Sequence, residues 1–162
     1  MSHDTETEQR TTLRRIINAA HTAFLVTNSP DKGPHGRPMV TGEVTEAMSA
    51  FYFPTDKNSG KVEELANDDR VFLGYVSGNE WASVSGRGSI VSDRAKIKEV
   101  WTDLWKNWFE GPDDPKLVLI QVTPELAEYW DSNNRAIVLA KMAYTAVTGQ
   151  KTKVGDHAKL SL

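Results

Sequence analysis

Trp81-Ala82-Ser83-Val84-Ser85-Gly86-Arg87-Gly88-Ser89-Ile90-Val91 is the stretch on which the fold turns. Ala82, Val84, Gly86, Gly88 and Ile90 share one side of a two-residue period, and Ser83, Ser85, Arg87 and Ser89 share the other. That alternation describes a strand with one face turned inward. Gly86 and Gly88 leave the inward face nearly bare, which marks a bend or the close approach of another backbone. Ser92-Asp93 then offers a helix cap. Ile97, Val100, Trp101, Leu104, Trp105 and Trp108 follow at helical spacing, until Gly111-Pro112 ends the pattern.

The neighbouring segments extend the same picture. Upstream, Val71–Val76 is β-branched and aromatic and predicts a strand. Before it, Val62, Leu65 and Ala66 form the apolar side of a short helix opening near Ser59. Phe51-Tyr52-Phe53 predicts a strand, with Pro54 to Asn58 as a loop. Arg37–Thr45 and Ala23–Thr27 predict two more strands, separated by loop chemistry from Asn28 to Gly36. Leu13, Ile16, Ile17 and Ala20 place a helix near the start. Downstream, Leu117–Val122 and Glu125–Trp130 read as one strand carried past Pro124, and Arg135–Val147 as a last helix. Residues 1–8 and 148–162 are polar and expected to be flexible, within a single domain over 1–162. Tight links between successive strands imply antiparallel pairing. The expected class is mainly β with peripheral helices, closing or nearly closing into a barrel of about six strands.

Composition narrows the function. The 162 residues carry a net charge of -3 and a pI near 5.8, so no nucleic-acid partner is expected. The absence of cysteine removes disulfides, thiolate zinc sites and thiol catalysis, and fits a reducing cytoplasm. No apolar run approaches the ~18 residues of a membrane span, so no membrane partner is expected. The four histidines are scattered, which speaks against a metal site. Gly86-Arg87-Gly88 lacks the third glycine of a dinucleotide fingerprint.

Asn58-Ser59-Gly60-Lys61 is the most suggestive local feature, opening a helix just after an aromatic strand. A helix N-terminus presents free N–H groups and a partial positive charge, to which Ser59 adds a hydroxyl and Lys61 an ammonium, a combination suited to a phosphate. Taken alone, these residues equally describe a plain cap beside a solvated lysine, which is the commoner occurrence. Arg37 could bind a phosphate in bidentate fashion or simply end a surface strand. Trp101, Trp105 and Trp108 share a helical stripe that reads as core, with Trp108 at the end able to reach a ligand. Trp130 closes a strand, where its ring could pack on a flat ligand or another subunit.

Arg37-Pro38-Met39-Val40, Phe51-Tyr52-Phe53-Pro54-Thr55 followed by Ser59-Gly60-Lys61-Val62-Glu63-Glu64-Leu65, Arg70-Val71-Phe72-Leu73-Gly74-Tyr75, and Gly86–Trp101 occur in a distinctive order. With the weaker Glu128-Tyr129-Trp130-Asp131 they span about residues 10–135. The chain thereby resembles the general stress protein branch of the pyridoxamine 5'-phosphate oxidase-like, FMN-binding split-barrel family. The resemblance implies a six-stranded antiparallel split β-barrel and a homodimer with two flavin sites at its interface. It implies that Arg37, Ser59 and Lys61 hold the FMN phosphate. It implies that Met39, Val40, Phe53, Pro54 and Thr55 line the isoalloxazine, and that Trp130 reaches the flavin of the partner chain.

The departures from the family pattern bear on function. Gly42 stands where the oxidase carries a lysine, and Gly60 where it carries an arginine. After Trp130 the oxidase has an Arg-x-His-x-Arg substrate clamp, whereas here Arg135 is followed by Ala136, Ile137 and Val138. A buried substrate phosphate without such cations lacks charge-assisted bonds of about 1.5–3 kcal/mol each. The expectation is an FMN-binding (alternatively FAD-binding) cytoplasmic stress protein that acts as a flavin-dependent oxidoreductase of unknown substrate, and not as a competent pyridoxamine phosphate oxidase. A flavin-storing protein without turnover is the alternative, and deazaflavin remains open as a ligand. No catalytic acid or base stands out.

Overall fold

The structure, a computed structural model, describes residues 5–132, 142–143, 145–151 and 155–162. Helix α1 spans Glu6–Ala20. Thr5 accepts the Glu8 N–H and Glu8 accepts the Thr5 N–H, so two otherwise orphaned donors are satisfied reciprocally. This capping box starts the helix inside the segment expected to fray. Leu13, Ile16 and Ile17 form its buried stripe.

Eight strands make one antiparallel sheet: β1 (Thr22–Ser29), β2 (Gly33–Val40), β3 (Glu43–Val44), β4 (Phe51–Asp56), β5 (Arg70–Ser77), β6 (Glu80–Val91), β7 (Leu117–Asp131) and β8 (Asp156–Ser161). Their order is β2-β1-β5-β6-β7-β4-β3, with β8 beside β7. Among the described residues no pairing joins β2 to β3 or β4, so the ladder is open there. Helix α2 (Gly60–Asn67) follows β4, and α3 (Arg94–Val100) follows β6.

The bare face of β6 has the cause its sequence implied. A Cβ on Gly86 would lie 2.1 Å from the Thr123 carbonyl oxygen, and the register shifts between Ser85 and Gly86. The β7 backbone crosses there, and a bulge lets β6 bend around it. A Cβ on Gly88 would lie 2.7 Å from Leu65 of α2.

Two apolar clusters result. The first lies inside the sheet, where Leu13, Ile16 and Ile17 meet Leu25, Phe51, Phe53, Leu73 and Tyr129. The second lies behind β4, where Tyr52, Leu117 and Leu119 meet Ile97, Val100, Trp105 and Phe109. Because Phe51 and Phe53 face one cluster and Tyr52 the other, β4 is buried on both sides.

The strand count and several elements differ from their sequence expectation, among them the strand expected over Arg37–Thr45, which is interrupted at Thr41 and Gly42 between β2 and β3. Among the described residues there are eight strands, not six. The loop expected to run to Gly36 yields its last four residues to β2, which pairs along the whole of β1. Pro54 to Asp56 continue β4, because Pro54 needs no donated bond and Thr55 and Asp56 pair with Val118 and Leu117. The long tryptophan helix breaks at Trp101, where ψ is 139°, and Thr102 caps a separate 3₁₀ turn over Asp103–Asn107. The polar C-terminal segment carries β8, whose Ala158 and Leu160 point inward while His157 and Lys159 point out. The expected helix over Arg135–Val147 falls mostly outside the described residues, of which 142–143 and 145–147 are helical.

Candidate functional site

The C-terminal half of β2, the C-terminal half of β4 and the start of α2 converge on one cavity of about 420 Å³. Met39 and Val40 come from β2, Pro54 and Thr55 from β4, Lys61 from α2, and Trp108 from the end of the 3₁₀ turn. Asp56 and Phe109 complete the rim. Trp108 is exposed: as the C-cap, at φ -127° and ψ -23°, it leaves the turn and does not follow Trp105 into the core.

At the polar end, Ser59 precedes α2 without capping it by its side chain. Its hydroxyl lies 3.1 Å from Thr55 Oγ1, and Lys61 Nζ donates to the same Thr55 oxygen at 3.1 Å. The first N–H groups of α2 are thus left without a side-chain acceptor, next to an ammonium. Burial pushes the Lys61 pKa down, and the nearby Arg37 charge adds to that. An anion beside the ammonium would favour its charged form against both effects.

Arg37 sits behind this end rather than in it. Its guanidinium donates to Thr27 Oγ1 at 2.6 Å and to Glu64 Oε2 at 2.8 Å, and its Nη2 lies 3.0 Å from His35 Nδ1. His35 Nδ1 is in turn 3.1 Å from Glu64 Oε1, and the Thr27 hydroxyl also donates to Glu64 Oε2. Burial would raise the Glu64 carboxyl, but the bonds from Thr27, His35 and Arg37 outweigh it and hold the pKa at about 2.

Of the ten residues singled out from the sequence, Met39, Val40, Pro54, Thr55, Lys61 and Trp108 are brought together in the cavity. Ser59 is one hydrogen bond away. Arg37 is tied to Glu64. The Phe53 side chain is fully buried in the first core cluster, which leaves only its backbone near the site. Trp130 lines a different groove of about 440 Å³ on the outer sheet face, with Phe24, Phe72, Val76 and Trp81. Arg135 lies outside the described residues.

Thr27, His35 and Glu64 escaped the sequence reading. Thr27 occupies an inward position after Ala23 and Leu25, and a buried hydroxyl needs a partner. Glu64 lies one turn after Lys61 on the same helix face.

The two glycine departures have different meanings in space. A Cβ on Gly42 would lie 2.7 Å from Trp105 Cζ2 and 2.9 Å from the Tyr52 carbonyl oxygen, so Trp105 occupies the room a longer side chain would need. A Cβ on Gly60 would meet nothing within 4 Å.

A family model described as pyridoxamine 5'-phosphate oxidase like matches residues 8–153. The chain belongs to that family. Within it, the oxidase-like chain falls in the general stress protein 26 branch. It is 36% identical over 81 residues to general stress protein 26 of Bacillus subtilis, covering 46% of this chain and 57% of that one. It is 30% identical over 121 residues to protein bli-3 of Neurospora crassa, covering 67% and 58% respectively. The chain therefore spans little more than half the length of these curated relatives. The crystal structure of a general stress FMN/FAD binding protein from Xanthomonas citri superposes with a TM-score of 0.67 at 25% identity, over 78% of this chain and 89% of that one. Among the described residues of this family member, no helix is long and apolar enough to cross a membrane, and no three His, Cys, Asp or Glu side chains cluster to hold a metal.

Proposed function

We propose that the cavity binds a flavin nucleotide, FMN in the first place and FAD as a variant. The observation that carries this reading is the joining of apolar walls to an anion-seeking end in one space. Met39, Val40, Pro54 and Trp108 suit a flat ring, while Lys61 and the α2 N-terminus suit a phosphate. The Xanthomonas citri relative, described as FMN/FAD binding, supports the same ligand class. A bound flavin would supply the electron chemistry. The chain's own residues hold it: Lys61 and Ser59 grip the phosphate, and the β2 and β4 backbones flank the ring.

The chain then acts as a flavin-dependent oxidoreductase within the split-barrel architecture of its family. It is not a competent pyridoxamine phosphate oxidase, because Gly42 and Gly60 remove two cations and Trp105 fills the space beside Gly42. A homodimer accompanies this reading. Phe24, Phe72, Val76, Trp81 and Trp130 are between 42% and 53% exposed on one sheet face, a patch suited to a second copy. Trp130 would then approach the partner's cavity rather than its own.

The test is the visible absorption spectrum of purified protein mixed with FMN and freed of excess by gel filtration. Flavin bands co-eluting with the protein are expected. A colourless protein under saturating FMN would overturn the reading. Reduced flavin that passes electrons to an acceptor faster than free FMN separates turnover from storage.

A further inference from the structure

We infer that His157 is a positioning residue for Trp130: from β8 it stacks on the indole and, anchored to Glu128, fixes the ring at the border of the outer sheet groove with a firmness that follows the charge of its imidazole. The inference rests on the flavin reading above, since it is there that Trp130 would meet the ligand of a second copy.

Three observations carry it. First, the register of the sheet sets these residues in a row. Val76 lies opposite Trp81, Trp81 opposite Trp130, and Trp130 opposite His157, so the four side chains cross β5, β6, β7 and β8 on one face. Second, the two rings meet plane to plane. Their centroids are 5.1 Å apart and their planes lie 14° from parallel. The indole still keeps 42% of its surface exposed, and it lines the groove with Phe24, Phe72 and Trp81. Third, the imidazole is itself anchored. Its Nε2 lies 3.2 Å from Glu128 Oε2, and Lys159 Nζ lies 3.5 Å from Glu128 Oε1. The bond from His157 is the largest of the effects that hold the Glu128 carboxyl below its ordinary value. Glu128 is therefore an anion throughout the range in which a histidine takes up its proton.

Among the described residues, Glu128 and Lys159 are the charged groups that β7 and β8 place beside the imidazole. From β6 come Trp81 and Ser83, which carry no charge. Asp131 and Asp156 alternate to the opposite face, where Asp131 meets Arg15 of α1. A proton on His157 turns its bond to Glu128 into an ion pair and its stack on Trp130 into a cation–π contact. A surface tryptophan without such a neighbour samples several rotamers, and a ligand or second copy must order it on binding. His157 does that ordering in advance.

The test compares the full chain with His157→Ala, which removes both contacts, and with His157→Phe, which keeps a stacked ring but neither the bond nor the proton. The emission of Trp130 is obtained by subtracting, for each chain, the same chain carrying Trp130→Phe. In the native chain its anisotropy is expected to be high, and its intensity to fall between about pH 8 and 5 as the imidazolium quenches the indole. In His157→Phe the anisotropy stays high and the pH response disappears; in His157→Ala both are lost. FMN affinity at neutral pH is expected to fall about three- to tenfold in His157→Ala, the cost of ordering one large side chain, and to return in His157→Phe. A native Trp130 signal that is flat with pH, or one unchanged in His157→Ala, would overturn the inference. So would equal FMN affinity in the native chain and His157→Ala. Lower urea stability in His157→Ala with unaltered Trp130 emission would leave His157 a structural role alone and overturn it too. If the native chain retains no FMN, the flavin reading fails, and the Trp130 emission, which needs no ligand, still decides the positioning.

Discussion

Glu64 joins a buried carboxylate to three hydrogen-bonding partners. Its carboxyl sits at about 2 in the fold against an ordinary 4.5, because hydrogen bonds from Thr27, His35 and Arg37 overcome the burial penalty. A depressed carboxyl stabilises the fold fully above the ordinary value, and the effect fades as pH falls toward the folded one. Unfolding free energy is expected to drop by about 3 kcal/mol between pH 4.5 and 2 from this group. The same titration in Glu64→Gln should be flatter by about that amount, as measured by chemical denaturation across the window. Gly42 is a steric counterpart. Its missing Cβ admits the Trp105 ring, whose Nε1 is buried without a hydrogen-bond partner. Gly42→Ala is expected to destabilise by about 1–3 kcal/mol, since neither the ring nor the Tyr52 carbonyl can retreat freely. A thermal melt unchanged by the substitution would refute that packing.

At the scale of elements, β8 and the broken tryptophan helix show how contacts override composition. Residues 156–161 look polar, yet Ala158 and Leu160 alternate with His157 and Lys159, and the strand pairs with β7 from Leu126 to Asp131. His157 stacks on Trp130 with ring centroids 5.1 Å apart, which seals the outward side of the pair. If β8 is integral to the sheet, Leu160→Ala should remove about 2–4 kcal/mol of stability. A loss under 0.5 kcal/mol in urea unfolding would mean the strand is only loosely attached. The helix after β6 breaks because Thr102 offers its hydroxyl to the Leu104 N–H and restarts the chain as a 3₁₀ turn. Trp105 is completely buried, whereas Trp108, the C-cap of the turn, departs from its geometry, is exposed and lines the cavity.

Across the whole molecule, the exposed sheet face bearing Phe24, Phe72, Val76, Trp81 and Trp130 is the one on which the proposed homodimer rests. Trp81 and Trp130 are directly paired across β6 and β7, so they form one continuous apolar surface. A second copy covering it would make Trp81→Glu strongly disruptive to assembly while leaving the fold intact, because the side chain points away from the core. Light scattering after gel filtration is expected to report a dimer for the native chain and a monomer for the variant, with unchanged far-ultraviolet dichroism. A native monomer would remove the dimer reading and, with it, the role of Trp130 at a partner's site.

What the amino-acid order determined by itself was local. The alternation over Trp81–Val91 and the Ser59 start of α2 are governed by neighbours within a few residues. Met39, Val40, Pro54, Thr55 and Lys61 are legible as a set through the family pattern, but it is the convergence of β2, β4 and α2 that brings them to one cavity. The tertiary structure decided whatever depends on a partner far along the chain. Arg37 and Glu64 are 27 positions apart, and a guanidinium beside a cavity looks the same in sequence whether it faces an anion or an internal carboxylate. Trp101 to Trp108 keep a helical period, but the helix breaks at Trp101, Thr102 caps a new turn, and Trp105 fills the room beside Gly42. β8 exists because β7 runs on past β4 and leaves an edge to be paired. In each case the local pattern allows more than one outcome, and packing, which fills space and satisfies buried polar groups together, selects one.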